Sequence, residues 1–146
     1  MKKLILIPAL FCLFMLNVAS LCSSDGNSSS SDPTPVINVA TQGTWRITNY
    51  VDSGSNETSD FTGYNFTFAT GNVLTATNGT NTHPGTWSVI TDSSGLDFNI
   101  EFISPPNFAD ELTDDWDIVS YTATTISLRD VSGGDGSIDT LVFTKN

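Results

Sequence analysis

The side chains that most often carry enzyme chemistry are scarce in this sequence. His83 is the only histidine, and it stands directly before Pro84-Gly85, a pattern typical of a turn. A serine nucleophile could use only this histidine as its base, and the sequence has no Gly-x-Ser-x-Gly elbow. The two cysteines, Cys12 and Cys22, lack the spacing of zinc ligands. We therefore predict a protein that is not an enzyme and has no catalytic residues.

Acidic side chains are the second group with possible chemistry, because carboxylates are calcium ligands and paired acids cleave glycosides. Five of them cluster in the sequence: Asp110, Glu111, Asp114, Asp115 and Asp117. The segment Gly133-Gly134-Asp135-Gly136 resembles one calcium-turn repeat, although Ile138 stands where the repeat has an acid. A solvated acidic loop accounts for this cluster most simply. We predict neither a metal ion nor a cofactor.

Charge and composition restrict the classes of partner. The chain has 146 residues, enough for about one domain, and 16 acidic residues against five basic ones give a net charge of −11. Binding to nucleic acid requires clustered Lys and Arg, so the balance of charge excludes that class. Ser and Thr are unusually frequent, with 18 and 20 residues.

The first 21 residues have the pattern of a secretory signal peptide. Lys2 and Lys3 precede an almost wholly apolar run from Leu4 to Leu16, and small residues follow at Val18-Ala19-Ser20. An uncleaved membrane anchor is the alternative, because the charge-free run from Leu4 to Leu21 is 18 residues long. We expect residues 1–21 to be removed and the protein to be exported.

Cys22 directly follows this apolar region and resembles the lipidated cysteine of a bacterial lipobox. Cys22-Ser23-Ser24-Asp25 and the Ser-rich tract after it are similar to lipoproteins of the Bacteroidota. Leu21 stands where the motif usually has a small residue, so cleavage after Ser20 is the alternative. The resemblance implies an outer-membrane lipoprotein of a Gram-negative bacterium, held to the membrane through lipid on Cys22.

The segment from residue 22 to residue 42 is predicted to be a disordered tether, because its Ser-rich part has no apolar side chains to bury. After processing at Cys22, the chain would keep Arg46, Arg129 and Lys145 against all 16 acidic residues, a net charge of −13. Such a charge keeps an exported domain soluble and away from anionic membrane surfaces. We interpret Arg129 as a solvated residue of an outer face, with an acid or an aromatic ring as a possible partner.

From residue 43 onward the apolar residues alternate with polar ones, as in Leu96-Asp97-Phe98-Asn99-Ile100-Glu101-Phe102. Turn sequences separate the alternating segments, and Ala109–Leu112 could form one helical turn. Short strands at this spacing indicate a sandwich or a barrel, and the tight sequential turns favour an up-and-down antiparallel barrel. The eight predicted strands lie near residues 43–51, 61–69, 72–78, 85–91, 96–103, 115–123, 125–131 and 138–145.

Gly43-Thr44-Trp45 resembles the Gly-x-Trp signature that opens the first strand of lipocalins. Gly85-Thr86-Trp87 repeats the tripeptide, Trp116 opens a later strand, and an apolar final strand ends at Lys145. This order is similar to that of small bacterial lipocalin-like domains over residues 43–146, although no Arg follows the last strand to cover the tryptophan. Avidin-like barrels also begin with Gly-Thr-Trp and are the alternative fold.

The resemblance implies a monomeric, non-catalytic protein that binds a small apolar or amphipathic molecule at one barrel mouth. The candidate ligand contacts are large inward residues: Trp45, Tyr64, Phe66, Trp87, Phe98 and Trp116. Smaller or polar inward residues would mark a polar end of the pocket, and these are Asn49, Thr75, Ser120 and Thr122. The tryptophans also have a structural interpretation, as core residues of a barrel. If bulky side chains fill the interior, the domain would instead be a structural or protein-interaction unit of the cell envelope.

Overall fold

The computed structural model describes residues 32–131, 134 and 136–146. The predicted signal peptide, Cys22 and most of the predicted tether lie outside the described residues. Within the described part of the chain, no helix is long and apolar enough to cross a membrane.

Eight antiparallel strands form a closed barrel, with one further short strand beside it. The barrel order is β1, β3, β4, β5, β6, β7, β8, β9, and β9 pairs with β1 to close the ring, while β2 pairs only with β1. The prediction of an all-β, eight-stranded, up-and-down antiparallel barrel is confirmed. The strands are β1 (Trp45–Asp52), β2 (Ser55–Asn56), β3 (Asn65–Ala69), β4 (Val73–Thr77), β5 (Thr82–Thr91), β6 (Leu96–Phe102), β7 (Asp114–Tyr121), β8 (Thr125–Val131) and β9 (Ile138–Lys145).

Three short helical segments accompany the barrel: α1 (Thr34–Ala40), a 3-10 helix (Thr58–Phe61) and α2 (Pro106–Leu112). Neighbouring strands are antiparallel all round the barrel, so β1 and β6 run in the same direction. Since α1 precedes β1 and α2 follows β6, the two helices lie at opposite ends of the barrel.

Helix α1 corrects the predicted extent of the tether, which was expected to stay disordered as far as Gln42. Val36 and Ala40 are fully buried in the core, and Ile37 and Val39 pack against it. These four apolar residues have helical spacing, and Pro33 and Pro35 stand at the first turn, where proline is tolerated. The folded domain therefore begins near residue 33 rather than at residue 43.

The turn predicted at His83-Pro84-Gly85 is wrong, because His83 and Pro84 belong to β5. His83 pairs with Ala76 and Pro84 pairs with Thr75, both on β4. The pairing of β5 with β6 begins only at Gly85. Pro84 is accommodated because its missing N–H falls where the strand has a neighbour on one side only.

The inward side chains form one aromatic core. Phe68 lies against Phe98 and Phe143, with ring centroids 5.1 and 5.3 Å apart, and Phe66 lies 5.3 Å from Phe143. Each buried side chain of this size contributes about 1.5–3 kcal/mol through its removal from water. The strands thus fill the space between them with their own side chains.

Candidate functional site

The six aromatic residues predicted to contact a ligand belong almost entirely to the barrel core. Trp45, Phe66 and Phe98 are fully buried, and Trp116 and Trp87 are 2% and 5% exposed. Tyr64 precedes β3 and is partly buried against the core. The structure therefore brings these side chains together by packing them on other core residues.

Each tryptophan N–H donates a hydrogen bond to a backbone carbonyl at the end of a helix or strand. Trp45 Nε1 donates to Ala40 O of α1 at 2.9 Å, and Trp116 Nε1 donates to Leu112 O of α2 at 3.1 Å. Trp87 Nε1 donates to Ala69 O at the end of β3 at 2.9 Å. Buried indoles need such a partner, and here the partner fastens a helix or a turn to the barrel wall.

The barrel end at α1 is covered by this helix and by the end of the chain. The Nζ atom of Lys145 lies 5.4 Å from the centre of the Trp45 ring, on the strand paired with β1. A cation at this distance interacts favourably with the face of the ring. Lys145 therefore covers the tryptophan at the place where an arginine was expected and is absent.

The opposite barrel end is filled by Phe108 of α2. Its ring lies 4.9 Å from the rings of Tyr64 and His83, and 5.2 Å and 5.3 Å from those of Phe102 and Phe61. Tyr64 Oη and His83 Nε2 are 3.1 Å apart at the edge of this cluster. The Tyr50 hydroxyl donates to Glu111 O of α2 at 2.9 Å and holds the helix across the opening.

The four polar residues predicted to line the interior do not do so. On β4, Leu74 and Ala76 are the buried residues, so Thr75 points to the outer face. Register shifts after Ile47 and after Ile118 change the phase of the alternation at Asn49 and Ser120. Thr122 caps the β7–β8 turn instead, where its Oγ1 accepts hydrogen bonds from the N–H groups of two following residues.

A shallow polar depression on the outer wall, which we call the β5–β6 groove, has a volume of about 140 Å³. Its polar side chains face each other in cross-strand pairs, Thr86 with Glu101 and Ser88 with Asn99. Asn99 Oδ1 is buried and has no hydrogen-bond partner within the described structure. The sequence gave no signal for this groove beyond polar residues on outer faces. Its lining residues are Asn72, Thr86, Trp87, Ser88, Asn99, Ile100 and Glu101.

The acidic residues that were grouped in the sequence are separated by the fold. Asp110 and Glu111 lie on α2, whereas Asp114, Asp115 and Asp117 lie on β7. On the outer wall Asp117 accepts a hydrogen bond from Arg129, which is 46% exposed, at 3.1 Å. The interpretation of Arg129 as an outer-face residue, with an acid as its partner, is confirmed.

A different acidic group forms next to α2, where Glu111 meets Glu57 and Asp60 of the 3-10 helix region. One carboxylate oxygen from each lies within 4.8 Å of the others. Burial and the repulsion of Glu57 and Asp60 raise the pKa of Glu111. Burial, with the charges of Asp52 and Glu111, also raises the pKa of the nearby Tyr50 hydroxyl. The sequence did not indicate this group, because more than 50 positions separate Glu57 from Glu111.

Comparison with known proteins supports the fold. No family model matches the chain, and no curated protein matches it. It is similar to the crystal structure of a DUF4847 family protein from Bacteroides vulgatus ATCC 8482, with a TM-score of 0.51 and 17% sequence identity. The similarity covers 76% of this chain and 97% of that chain. At this identity the likeness is one of fold, a closed β-barrel.

Proposed function

We propose that this protein is a monomeric, non-catalytic lipoprotein of the cell envelope whose barrel acts through its outer surface, as a structural or protein-interaction domain. The observation that carries the proposal is the filling of the barrel from both ends. Trp45 and α1 occupy one end, and Phe108 and α2 occupy the other. An eight-stranded barrel has room for its side chains or for one small ligand, but hardly for both.

The second function considered is the lipocalin-like one, in which an apolar or amphipathic molecule sits at one mouth. Its candidate contacts would become accessible only if a helix left its barrel end. Opening the end at α1 would expose Val36 and Ala40 and break the hydrogen bond from Trp45 to Ala40. The geometry therefore supports a surface function better than an enclosed ligand.

The fold also bears on how an anchored domain would be oriented. The chain enters the fold at α1, so a lipid on Cys22 would place this end of the barrel nearest the membrane. Arg46 and Lys145 lie at this end, on the paired ends of β1 and β9. With α1 in the fold, 11 residues (23–33) separate Cys22 from the helix, instead of the 20 first expected. The domain would stand close to an outer-membrane surface.

Incorporation of radioactive palmitate by Gram-negative cells that express the full chain tests the anchoring. Cys22→Ser should abolish the labelling and release the protein from the membrane fraction, because stable anchoring needs the acyl chains. Cys12→Ser is the matched control, since Cys12 lies within the apolar region of the predicted signal peptide, and it should leave the labelling intact. A Cys22→Ser variant that is still labelled and membrane-bound would contradict the lipoprotein proposal.

A further inference from the structure

We propose that the β5–β6 groove binds a small ligand rich in hydroxyl groups, such as a single sugar ring. This inference concerns the outer wall of the barrel and is independent of lipid anchoring. It starts from the arrangement of Thr86, Ser88, Asn99 and Glu101 as two facing pairs on adjacent antiparallel strands. The turn residue Asn72 closes one side of the groove.

The spacing of these groups suits a ligand about as wide as one six-membered ring. Directly paired residues on antiparallel strands have Cβ atoms about 4.5–5.5 Å apart, and residues two apart on one strand are separated by about 7 Å. Four polar side chains thus stand at the corners of a small rectangle. The hydrogen bond from Trp87 N to Asn72 O, at 3.1 Å, fixes the turn beside this rectangle.

The unpartnered oxygen of Asn99 indicates that a hydrogen-bond donor is missing from the groove. Buried polar atoms in native proteins almost always have a partner. Asn99 Oδ1 is buried without one, and Asn99 lines the groove. A ligand hydroxyl placed in the groove could donate to this oxygen.

The mixture of donors and acceptors distinguishes a hydroxylated ligand from an ion. A cation would be matched by acceptors alone, and an anion by donors alone. Asn72 and Asn99 carry amides and Thr86 and Ser88 carry hydroxyls, all of which both donate and accept. Glu101 supplies the single formal charge, and the Thr86 hydroxyl already donates to it at 3.3 Å. Sugar hydroxyls also both donate and accept, so they complement this set.

The test is a titration of the ¹⁵N-labelled full chain in detergent micelles with glucose, galactose or N-acetylglucosamine, followed by NMR. We expect at least one of these sugars to produce saturable shifts in the side-chain amide of Asn99 and in the backbone amides of β5 and β6. The variant Asn99→Ala should weaken that binding about tenfold, the effect of losing one hydrogen bond to ligand. Removing an acceptor that has no partner should leave the fold intact.

Ser88→Ala and Ser127→Ala form a matched pair, because Ser127 lies on β8, away from the groove. Ser88→Ala should weaken sugar binding, and Ser127→Ala should not. The inference is overturned if none of the three sugars produces saturable shifts. It is also overturned if Asn99→Ala leaves the shifts unchanged, or if ethylammonium chloride produces them and the sugars do not.

Discussion

Two glycines that open the Gly-x-Trp sequences serve different local needs. Gly43 has a φ of +96°, a conformation that side chains with a Cβ rarely adopt. Gly85 has an ordinary backbone, but a Cβ placed there would lie 2.5 Å from Glu101 O and 2.9 Å from the Phe102 ring. The repeated tripeptide therefore has a structural cause at each site, in backbone conformation at the first and in close packing at the second.

The substitution Gly85→Ala should destabilise the barrel, because neither a backbone carbonyl nor a buried ring can move aside freely. We expect the free energy of unfolding to fall by about 1–3 kcal/mol, the usual cost of overpacking. Urea denaturation measures the change. Gly134→Ala is the control, since nothing lies within 4 Å of a Cβ at that position. Equal stability of the two variants would show that the contact between Gly85 and Phe102 is wrong.

Three carboxyl groups should make the fold more stable in mild acid. Burial, with repulsion from Asp130 and Asp115, raises the pKa of Asp114 to about 6, and burial likewise raises the pKa of Asp97 and of Glu111. The folded state therefore holds more protons than the unfolded chain between about pH 4 and pH 6. This stabilisation is fully present below the ordinary carboxyl pKa of 3.8 and is lost as the pH rises through about 6.

The thermal midpoint of unfolding should accordingly rise when the pH is lowered from about 7 to about 5. Asp114→Asn should reduce this rise, because it removes the most strongly shifted carboxyl. Asp92→Asn should not, since hydrogen bonds from Ser94 and Gly95 lower the pKa of Asp92. A midpoint that falls on acidification in this range would contradict the assignment of raised pKa values.

At the scale of elements, regular alternation made the strands predictable and irregular features escaped prediction. Leu96–Phe102 alternates without interruption, and β6 has those bounds in the structure. The strand predicted from residue 61 starts at Asn65, because Phe61 ends a 3-10 helix. The register shifts in β1 and β7 could not be recognised from alternation, since each depends on the partner strand.

The two helices illustrate why short elements are difficult to predict. Helix α1 has seven residues, two prolines nearby and a Ser-rich segment before it, so composition outweighed its apolar spacing. Helix α2 was expected as one turn at Ala109–Leu112 and extends from Pro106. Both are stabilised mainly by tertiary packing, which local sequence does not reveal. The β5–β6 groove was missed for the same reason, because outward polar residues on alternating strands are typical of any solvated face.

A substitution in α1 tests whether this helix belongs to the folded domain. Val36→Ala should lower the free energy of unfolding by about 1–3 kcal/mol, because Val36 is fully buried. Asn38→Ala, on the exposed side of the same helix, should change it by no more than about 0.5 kcal/mol. Urea denaturation of both variants provides the comparison. If Val36→Ala is as stable as the unsubstituted protein, α1 does not close the barrel end.

At the scale of the whole molecule, charge is distributed unevenly between the two barrel ends. Arg46 and Lys145 lie at the end where α1 enters, and the Arg46 guanidinium donates to Asn146 Oδ1 there at 3.0 Å. In the proposed orientation, the opposite end faces away from an anionic membrane. That end carries half of the 16 acidic residues: Asp52, Glu57, Asp60, Asp110, Glu111, Asp114, Asp130 and Asp139.

The central claim is that aromatic side chains and the two helices fill this barrel, so that it encloses no ligand. The most direct measurement is the tryptophan fluorescence of residues 32–146 during titration with retinol, a long-chain fatty acid and haem. Trp45, Trp87 and Trp116 are distributed through the core, so a molecule entering the interior would change their emission. We predict no saturable change with any of the three compounds. A saturable change at a ratio of one ligand per chain would contradict the account and favour the lipocalin-like function.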